Sequence, residues 1–315
     1  MEITEIRDIT DRIKDNVSKV ILGKEQVVEL LIAAMYAGGH VLIEDTPGTG
    51  KTTLAKALAK SISGEFKRVQ FTPDLMPSDI TGINVYSQKT GEFNLVKGPV
   101  FTNILLADEI NRATPRTQSS LLEAMEEEQV TIDGVTMKLT EPFMVLATDN
   151  PIETIGTYPL PEAQLDRFMM RISMGDNDIE HELAIIDKYI KDTPVEEISA
   201  VVSGEDISKI KERIKSVFVH QCVRKYLVDI IFATRENSRL SYGASTRATL
   251  TLLRVSQSYA AMRGRDYVEP EDVKFLAPYV LEHRVMPYGA NLEEGKKIIN
   301  DLIRTIEVPV ENWES

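Results

Sequence analysis

The stretch Val41-Leu42-Ile43-Glu44-Asp45-Thr46-Pro47-Gly48-Thr49-Gly50-Lys51-Thr52-Thr53 decides the fold. An apolar run of strand type leads into a Gly-containing turn. The turn opens a helix on which Leu54, Leu58 and Ile62 recur at four-residue spacing. Such a loop directs its backbone N–H groups at a phosphate near the positive end of the helix. Thr46, Pro47, Gly48, Thr49, Gly50, Lys51, Thr52 and Thr53 are therefore candidates for holding a nucleotide. Lys51 would reach the β- and γ-phosphates, and the Thr52 hydroxyl would sit on Mg²⁺. The usual pattern is G-x-x-x-x-G-K-[ST]. Asp45 stands where its first Gly falls, and Asp tolerates a positive φ better than most residues. Taken alone the stretch also reads as a plain turn with a chance Gly-Lys, so a second motif has to decide.

That motif is Asn103-Ile104-Leu105-Leu106-Ala107-Asp108-Glu109, an apolar strand closed by two carboxylates. An Asp there holds Mg²⁺ directly or through water, and the adjacent Glu polarises an attacking water. Phosphoryl transfer needs positioning and charge neutralisation more than covalent chemistry, so two neighbouring carboxylates suffice. Phe143-Met144-Val145-Leu146-Ala147-Thr148-Asp149-Asn150 and Phe168-Met169-Met170-Arg171-Ile172 read as further buried strands, and residues 68–71 as a short one. Short apolar strands alternating with helices call for a mostly parallel sheet covered on both faces.

Two hairpins interrupt this alternation, at about 83–96 and 129–139. The second turns on Asp133-Gly134, the strongest short-range hairpin signal. Neither is needed to complete a nucleotide fold; both read as insertions, which often carry partner contacts. Residues 72–82 are turn-rich, with a cap expected from Ser78 or Asp79. Before the first strand, residues 3–37 read as helix–loop–helix, with Ile21 and Leu22 at the break available to pack on something flat. After Gly175 the segments 179–190, 207–217, 223–235, 247–262, 270–281 and 292–306 are helical by period, with no strong strand between them. The expected division is an α/β core over 1–175, carrying the hairpins, and a helical domain over 176–315.

Composition narrows the class. With 315 residues, 43% hydrophobic and 27% charged, the chain is ordinary for a globular protein and long enough for two domains. No apolar run approaches the roughly 18 residues that span a bilayer. The N-terminus lacks a signal peptide's apolar segment. Cys222 is the single cysteine, so no intrachain disulfide forms; a cytoplasmic location is expected. A net charge of −13 works against avid non-specific binding to nucleic acid.

Several stretches resemble the MoxR family of AAA+ ATPases: Leu106-Ala107-Asp108-Glu109-Ile110-Asn111-Arg112, Leu121-Leu122-Glu123-Ala124-Met125-Glu126-Glu127, Asn150-Pro151-Ile152-Glu153, the run from Gly156 to Phe168 containing Gly156-Thr157-Tyr158-Pro159-Leu160-Pro161-Glu162-Ala163-Gln164, and Gly243-Ala244-Ser245-Thr246-Arg247-Ala248. The resemblance runs from about Ile21 to about Arg284. It implies an AAA+ αβα core with a five-stranded parallel sheet and a small all-helical lid, ATP/ADP and Mg²⁺ as cofactors, and a homo-oligomeric ring, expected to be a hexamer. It also implies a protein client, matured or loaded with a metal cofactor, among which von Willebrand factor A domain proteins figure. Asn150 would orient the attacking water with Glu109. Arg167 would be the arginine finger entering the neighbouring subunit's site, with Arg171 as the alternative. Arg247 would touch the γ-phosphate in its own subunit; Thr246 replaces the family's Pro there. The hairpins would face the pore or the substrate.

Plainer roles are expected elsewhere. His40, His181, His220 and His283 lack metal-ligand spacing and read as packing or surface residues, and Trp313 as packed. Glu123, Glu126, Glu127 and Glu128 read as a solvated helix face. Two other functions compete: a magnesium-chelatase-like or DNA-acting motor, and a nucleotide-gated binding scaffold with little turnover.

Overall fold

In a computed structural model the chain is described over residues 1–44, 46, 48–150, 156–191, 198–289 and 292–309. Two helices, α1 (Ile3–Ser18) and α2 (Glu25–Tyr36), precede the first strand. Ile6, Ile9, Ile13 and Val17 make one buried stripe of α1, whereas α2 is buried almost all round from Leu30 to Tyr36. Strand β1 (Val41–Glu44) and helix α3 (Lys51–Ser61) enclose the glycine turn. Then come β2 (Phe66–Gln70), α4 (Pro77–Thr81), the hairpin β3 (Gly82–Ser87) and β4 (Glu92–Lys97), β5 (Ile104–Asp108) and α5 (Pro115–Glu127). The second hairpin, β6 (Gln129–Ile132) and β7 (Val135–Lys138), leads to β8 (Met144–Asp149), α6 (Glu162–Leu165) and β9 (Met170–Ile172).

Five of these strands form one sheet in the order β2-β5-β8-β1-β9, every pairing parallel. Parallel strands need covered faces, and β1, β5 and β8 are accordingly buried along their apolar runs. Because the strands run the same way, the residues that follow β1, β5 and β8 emerge at one edge of the sheet. That shared edge gathers the glycine turn, Asp108-Glu109 and Asn150 from distant parts of the sequence. The 133–134 turn takes positive φ at both residues, 48° and 82°, as an Asp-Gly hairpin requires. In α4 it is Asp79 that closes the N-terminus, accepting from the Met76 N–H at 2.9 Å.

The remaining elements are α7 (Ile179–Lys191), α8 (Gly204–Arg213), α9 (Gln221–Glu236), β10 (Leu240–Tyr242), α10 (Thr246–Met262), α11 (Pro270–Leu281), β11 (Met286–Pro287) and α12 (Leu292–Thr305). β10 and β11 pair antiparallel, which corrects the expectation of an all-helical second part. Each strand has three residues or fewer, too short for the sequence pattern to register. α10 lies against α1, α2 and α11, and one continuous apolar cluster joins these helices to one face of the sheet. Among the described residues no helix is long and apolar enough to cross a membrane.

Candidate active site

Gly48 and Gly50 adopt φ of 91° and 88°, and open space surrounds the position where a Cβ would stand on either. Gly50 is also the N-cap residue immediately before α3, so its left-handed backbone turns the chain directly into that helix. Lys51 Nζ donates to the Thr46 carbonyl at 3.0 Å, and the Thr49 hydroxyl to the same oxygen at 3.4 Å. Asp45 and Pro47 lie outside the described residues, as do Pro151 to Glu153 and Trp313.

Across from the loop, Asp108 ends β5. Its Oδ1 accepts from the Thr148 hydroxyl at 2.6 Å, and its Oδ2 accepts from Arg68 Nε and a terminal guanidinium nitrogen at 3.1 and 2.6 Å. Glu109 takes a left-handed backbone, φ 55°, unusual outside glycine. Its N–H donates to the Thr148 hydroxyl at 2.8 Å. Its carboxylate accepts from Gln70 at 2.7 Å and pairs with Arg112 at 2.9 Å. Asp149, level with Glu44 across the β1–β8 pairing, is held above the usual carboxylate range by burial and by the Glu44 charge, which Arg171 partly offsets.

A cavity of about 370 Å³ is lined by Gly48, Gly50, Lys51, Thr52 and Thr53 on one side and by Asp108, Glu109 and Asn150 on the other. Arg68, Gln70 and Thr148 also face it. These three escaped the sequence reading. Their only signal was position, Arg68 and Gln70 alternating on the strand beside Asp108 and Thr148 two residues before Asn150. A second cavity, about 560 Å³, shares Gly48, Gly50 and Thr53 with the first. Ile21, Leu22 and Thr49 line it, with Glu182 and Ile185 of α7 opposite. The first space presents a lysine, three hydroxyls and carboxylates, and the second adds the aliphatic side chains of Ile21, Leu22 and Ile185 among polar ones. A nucleoside triphosphate with a divalent cation matches that division.

The predicted arginines lie elsewhere. Met169 N–H donates to the His40 carbonyl at 2.8 Å, so Arg167 sits where β1 and β9 begin, the edge opposite the phosphate loop. Arg167 donates to the Leu122 carbonyl at 2.9 Å and pairs with Glu126 at 2.8 Å. Arg247 pairs with the other oxygen of Glu126 at 2.6 Å. Neither arginine lines the two cavities of its own chain, which goes against the expectation that Arg247 reaches a γ-phosphate in cis. Arg171 is buried in β9 and ion-paired with Glu44, so it lacks the exposure a finger needs. Of the acidic face expected to be solvated, Glu123 and Glu127 are exposed, but Glu126 and Glu128 have partners. Glu126 holds both arginines and Glu128 pairs with Lys211 at 2.9 Å, an engagement that charge spacing along one helix cannot reveal.

His40 is buried, with Nδ1 accepting from the Val145 N–H at 3.0 Å and Nε2–H donating to the Met125 carbonyl at 2.9 Å. Burial lowers its pKa to about 4, so it is a neutral packing residue. His283 is likewise buried and pushed well down. Among the described residues no group of three or more His, Cys, Asp or Glu is arranged to hold a metal ion.

Comparison with known proteins agrees with this geometry. The sequence pattern of the ATPase family associated with various cellular activities (AAA) matches residues 40–170, and that of the AAA lid domain matches residues 232–305. The chain is 42% identical over 308 residues to the chaperone MoxR1 of Mycobacterium tuberculosis, covering 94% of this chain and 81% of that one. It is 44% identical over 310 residues to YeaC of Bacillus subtilis, a protein without an assigned function, covering 98% and 97% of the two chains. A crystal structure of a candidate ATPase from Cytophaga hutchinsonii superposes with a TM-score of 0.91 at 41% identity, over 98% of this chain and 97% of that one.

Proposed function

The chain belongs to the MoxR family of AAA+ ATPases, and from that premise we propose that it is a magnesium-dependent, ring-forming ATPase that remodels a partner protein. The observation that carries the reading is the shared cavity: the glycine turn and Asp108-Glu109 open onto one space from opposite sides. The 1–175 segment acts as the nucleotide core and 176–315 as the lid. The cytoplasm is its compartment and the hexamer its expected form.

In this reading the backbone N–H groups of the loop and Lys51 bind the β- and γ-phosphates. Thr52 and Asp108 would hold Mg²⁺, which would supply charge neutralisation on the phosphate oxygens. Glu109, held aside by Gln70 and Arg112, accepts a proton from the attacking water once it swings into line with Asn150. Ile21 and Leu22 pack on the base. Arg167, paired with Glu126 away from the cavity of its own chain, serves the neighbouring subunit's site in trans. The ring is therefore part of the active site.

The client is a protein whose assembly or metal loading the ring assists, a von Willebrand factor A domain being one kind of partner. The hairpins carry exposed Ile83, Val85, Tyr86, Phe93 and Val135, suited to gripping a chain. The chaperone name of the Mycobacterium relative supports this direction. Glu109→Gln tests it: the variant should bind ATP with Mg²⁺, turn over about 10²–10⁴-fold more slowly, and retain a protein on an affinity column with ATP but not with ADP. Lys51→Ala should lose ATP binding. A Glu109→Gln variant with unchanged turnover would remove the reading, and stimulation by duplex DNA would redirect it.

A further inference from the structure

Helix α7 is amphipathic in the wrong direction for a monomer. Ile179, Leu183, Ile186 and Ile190 recur at helical spacing and ought to be its buried stripe. Instead all four are exposed, Ile179 and Ile190 by 79% and 75%. Among the described residues no other helix or strand makes an extended contact with it, and the His181 ring that meets Gly23 lies off this stripe. Its other side, through Glu182 and Ile185, lines the larger nucleotide cavity, so the uncovered stripe flanks the site that awaits the arginine of a neighbour.

The charges on this helix say what covers it. Glu180, Leu183 and Asp187 stand at i, i+3 and i+7 and are all exposed. On α10, beside the arginine pair, Arg247, Leu250 and Arg254 stand at the same i, i+3 and i+7 and are likewise exposed, Leu250 by 52%. Acid–Leu–acid on one helix thus matches Arg–Leu–Arg on the other over a span of about 10 Å. Exposed Tyr242 ends β10 just before the turn that opens α10. Because both patterns place Leu near the middle, the leucines come opposite each other whichever way the helices run.

We infer that α7 of one subunit docks on α10 of the next copy of the same chain, Leu183 against Leu250, with Glu180 and Asp187 paired to Arg247 and Arg254. The contact is heterologous: the cavity side of one copy meets the arginine side of another, which is the arrangement that closes a ring. It draws Arg247 from Glu126 to the acidic flank of the neighbour's α7, while Arg167 remains the guanidinium that serves the neighbour's nucleotide. This inference rests on the ring reading above and specifies the surface by which the ring forms.

Two single-cysteine variants of the full chain, Leu183→Cys and Leu250→Cys, each with Cys222→Ser, test it. They are mixed with ATP and Mg²⁺ and treated with a short bismaleimide, and assembly is followed by sedimentation. A covalent dimer in the mixture, absent from either variant alone, is expected. Rings that sediment normally without that dimer would overturn the docking and leave the ring reading intact, as would a dimer formed by Leu183→Cys alone. Absence of any assembly in every nucleotide state would overturn both. Leu183→Asp should raise the concentration needed for assembly on the order of tenfold or more, with the monomer's circular dichroism unchanged. Unchanged assembly of a folded Leu183→Asp variant would overturn the docking.

Discussion

The Thr148 hydroxyl donates to Asp108 at 2.6 Å, joining two strands through residues 40 positions apart in the sequence. The same oxygen accepts from the Glu109 N–H, so one side chain fixes the carboxylate that would hold metal and the backbone of the one that would take the proton. Thr148 is 1% exposed, and Val fills the same volume without the hydroxyl. Hydrogen bonds to charged groups contribute about 1.5–3 kcal/mol. Thr148→Val should therefore lower kcat about 10–100-fold while ATP binding, which rests on the loop and Lys51, changes little. Steady-state turnover and a fluorescent-nucleotide titration read the two separately. Equal losses in both would show that the hydroxyl supports the fold and not the step.

Mixed assemblies test the arginine face. Arg167→Ala should lose about 10³–10⁵ in turnover if the guanidinium serves a neighbour, with nucleotide affinity retained. Lys51→Ala is inactive for a different reason. Mixing the two inactive variants should restore activity, because some interfaces then join an intact cavity to an intact arginine. Coupled phosphate release against mixing ratio measures this. A flat zero at every ratio, with mixed assembly confirmed, would place Arg167 outside the reaction.

What the sequence disclosed and what it hid follow from how far apart the interacting groups lie along the chain. The loop at 46–53 and the acidic pair at 108–109 were legible because each is a local pattern with its own chemistry, and the parallel sheet was legible from the apolar runs ending in them. Arg68, Gln70 and Thr148 were not, since their roles exist only once β2, β5 and β8 lie side by side. Glu126 looked like one acid among four. Only the folding of residues 167 and 247 onto the same end of α5 gives it two guanidinium partners. The exposed stripe of α7 ran against the pattern, because periodicity shows that a helix has an apolar face but not which molecule covers it.

Acid should destabilise the fold through His40. Its pKa lies near 4 in the folded chain, lowered by burial, against about 6.5 when unfolded. Above pH 6.5 both states are neutral and nothing is lost. As pH falls from 6.5 toward 4, the unfolded chain takes up a proton that the folded chain refuses, and stability drops by up to about 3 kcal/mol. Urea unfolding between pH 7 and 4.5 measures the slope. His40→Gln should flatten this part of the curve although it weakens the protein at neutral pH. An identical slope in wild type and variant would assign the acid sensitivity to other groups.

Glu282 should act at the opposite end of the pH range. The residue follows α11, is 7% exposed, and has only Lys296, at 3.9 Å, as an ion-pair partner among the described residues. Burial raises its pKa to about 7, with the Glu44 charge adding to the rise, and Lys296 and Arg171 oppose it. A carboxyl raised in this way favours the fold while protonated. Its contribution is complete below the unfolded value near 4.5 and is lost as pH climbs through 7, costing up to about 3 kcal/mol. Gln has nearly the same shape and no charge to desolvate. Glu282→Gln should thus leave stability at pH 5 close to wild type and raise it at pH 8.5, by less than the full figure because the Lys296 attraction is also removed. Thermal melts at the two pH values decide the matter. A variant that is equally destabilised at both would show that Glu282 is held ionised by partners strong enough to outweigh its burial.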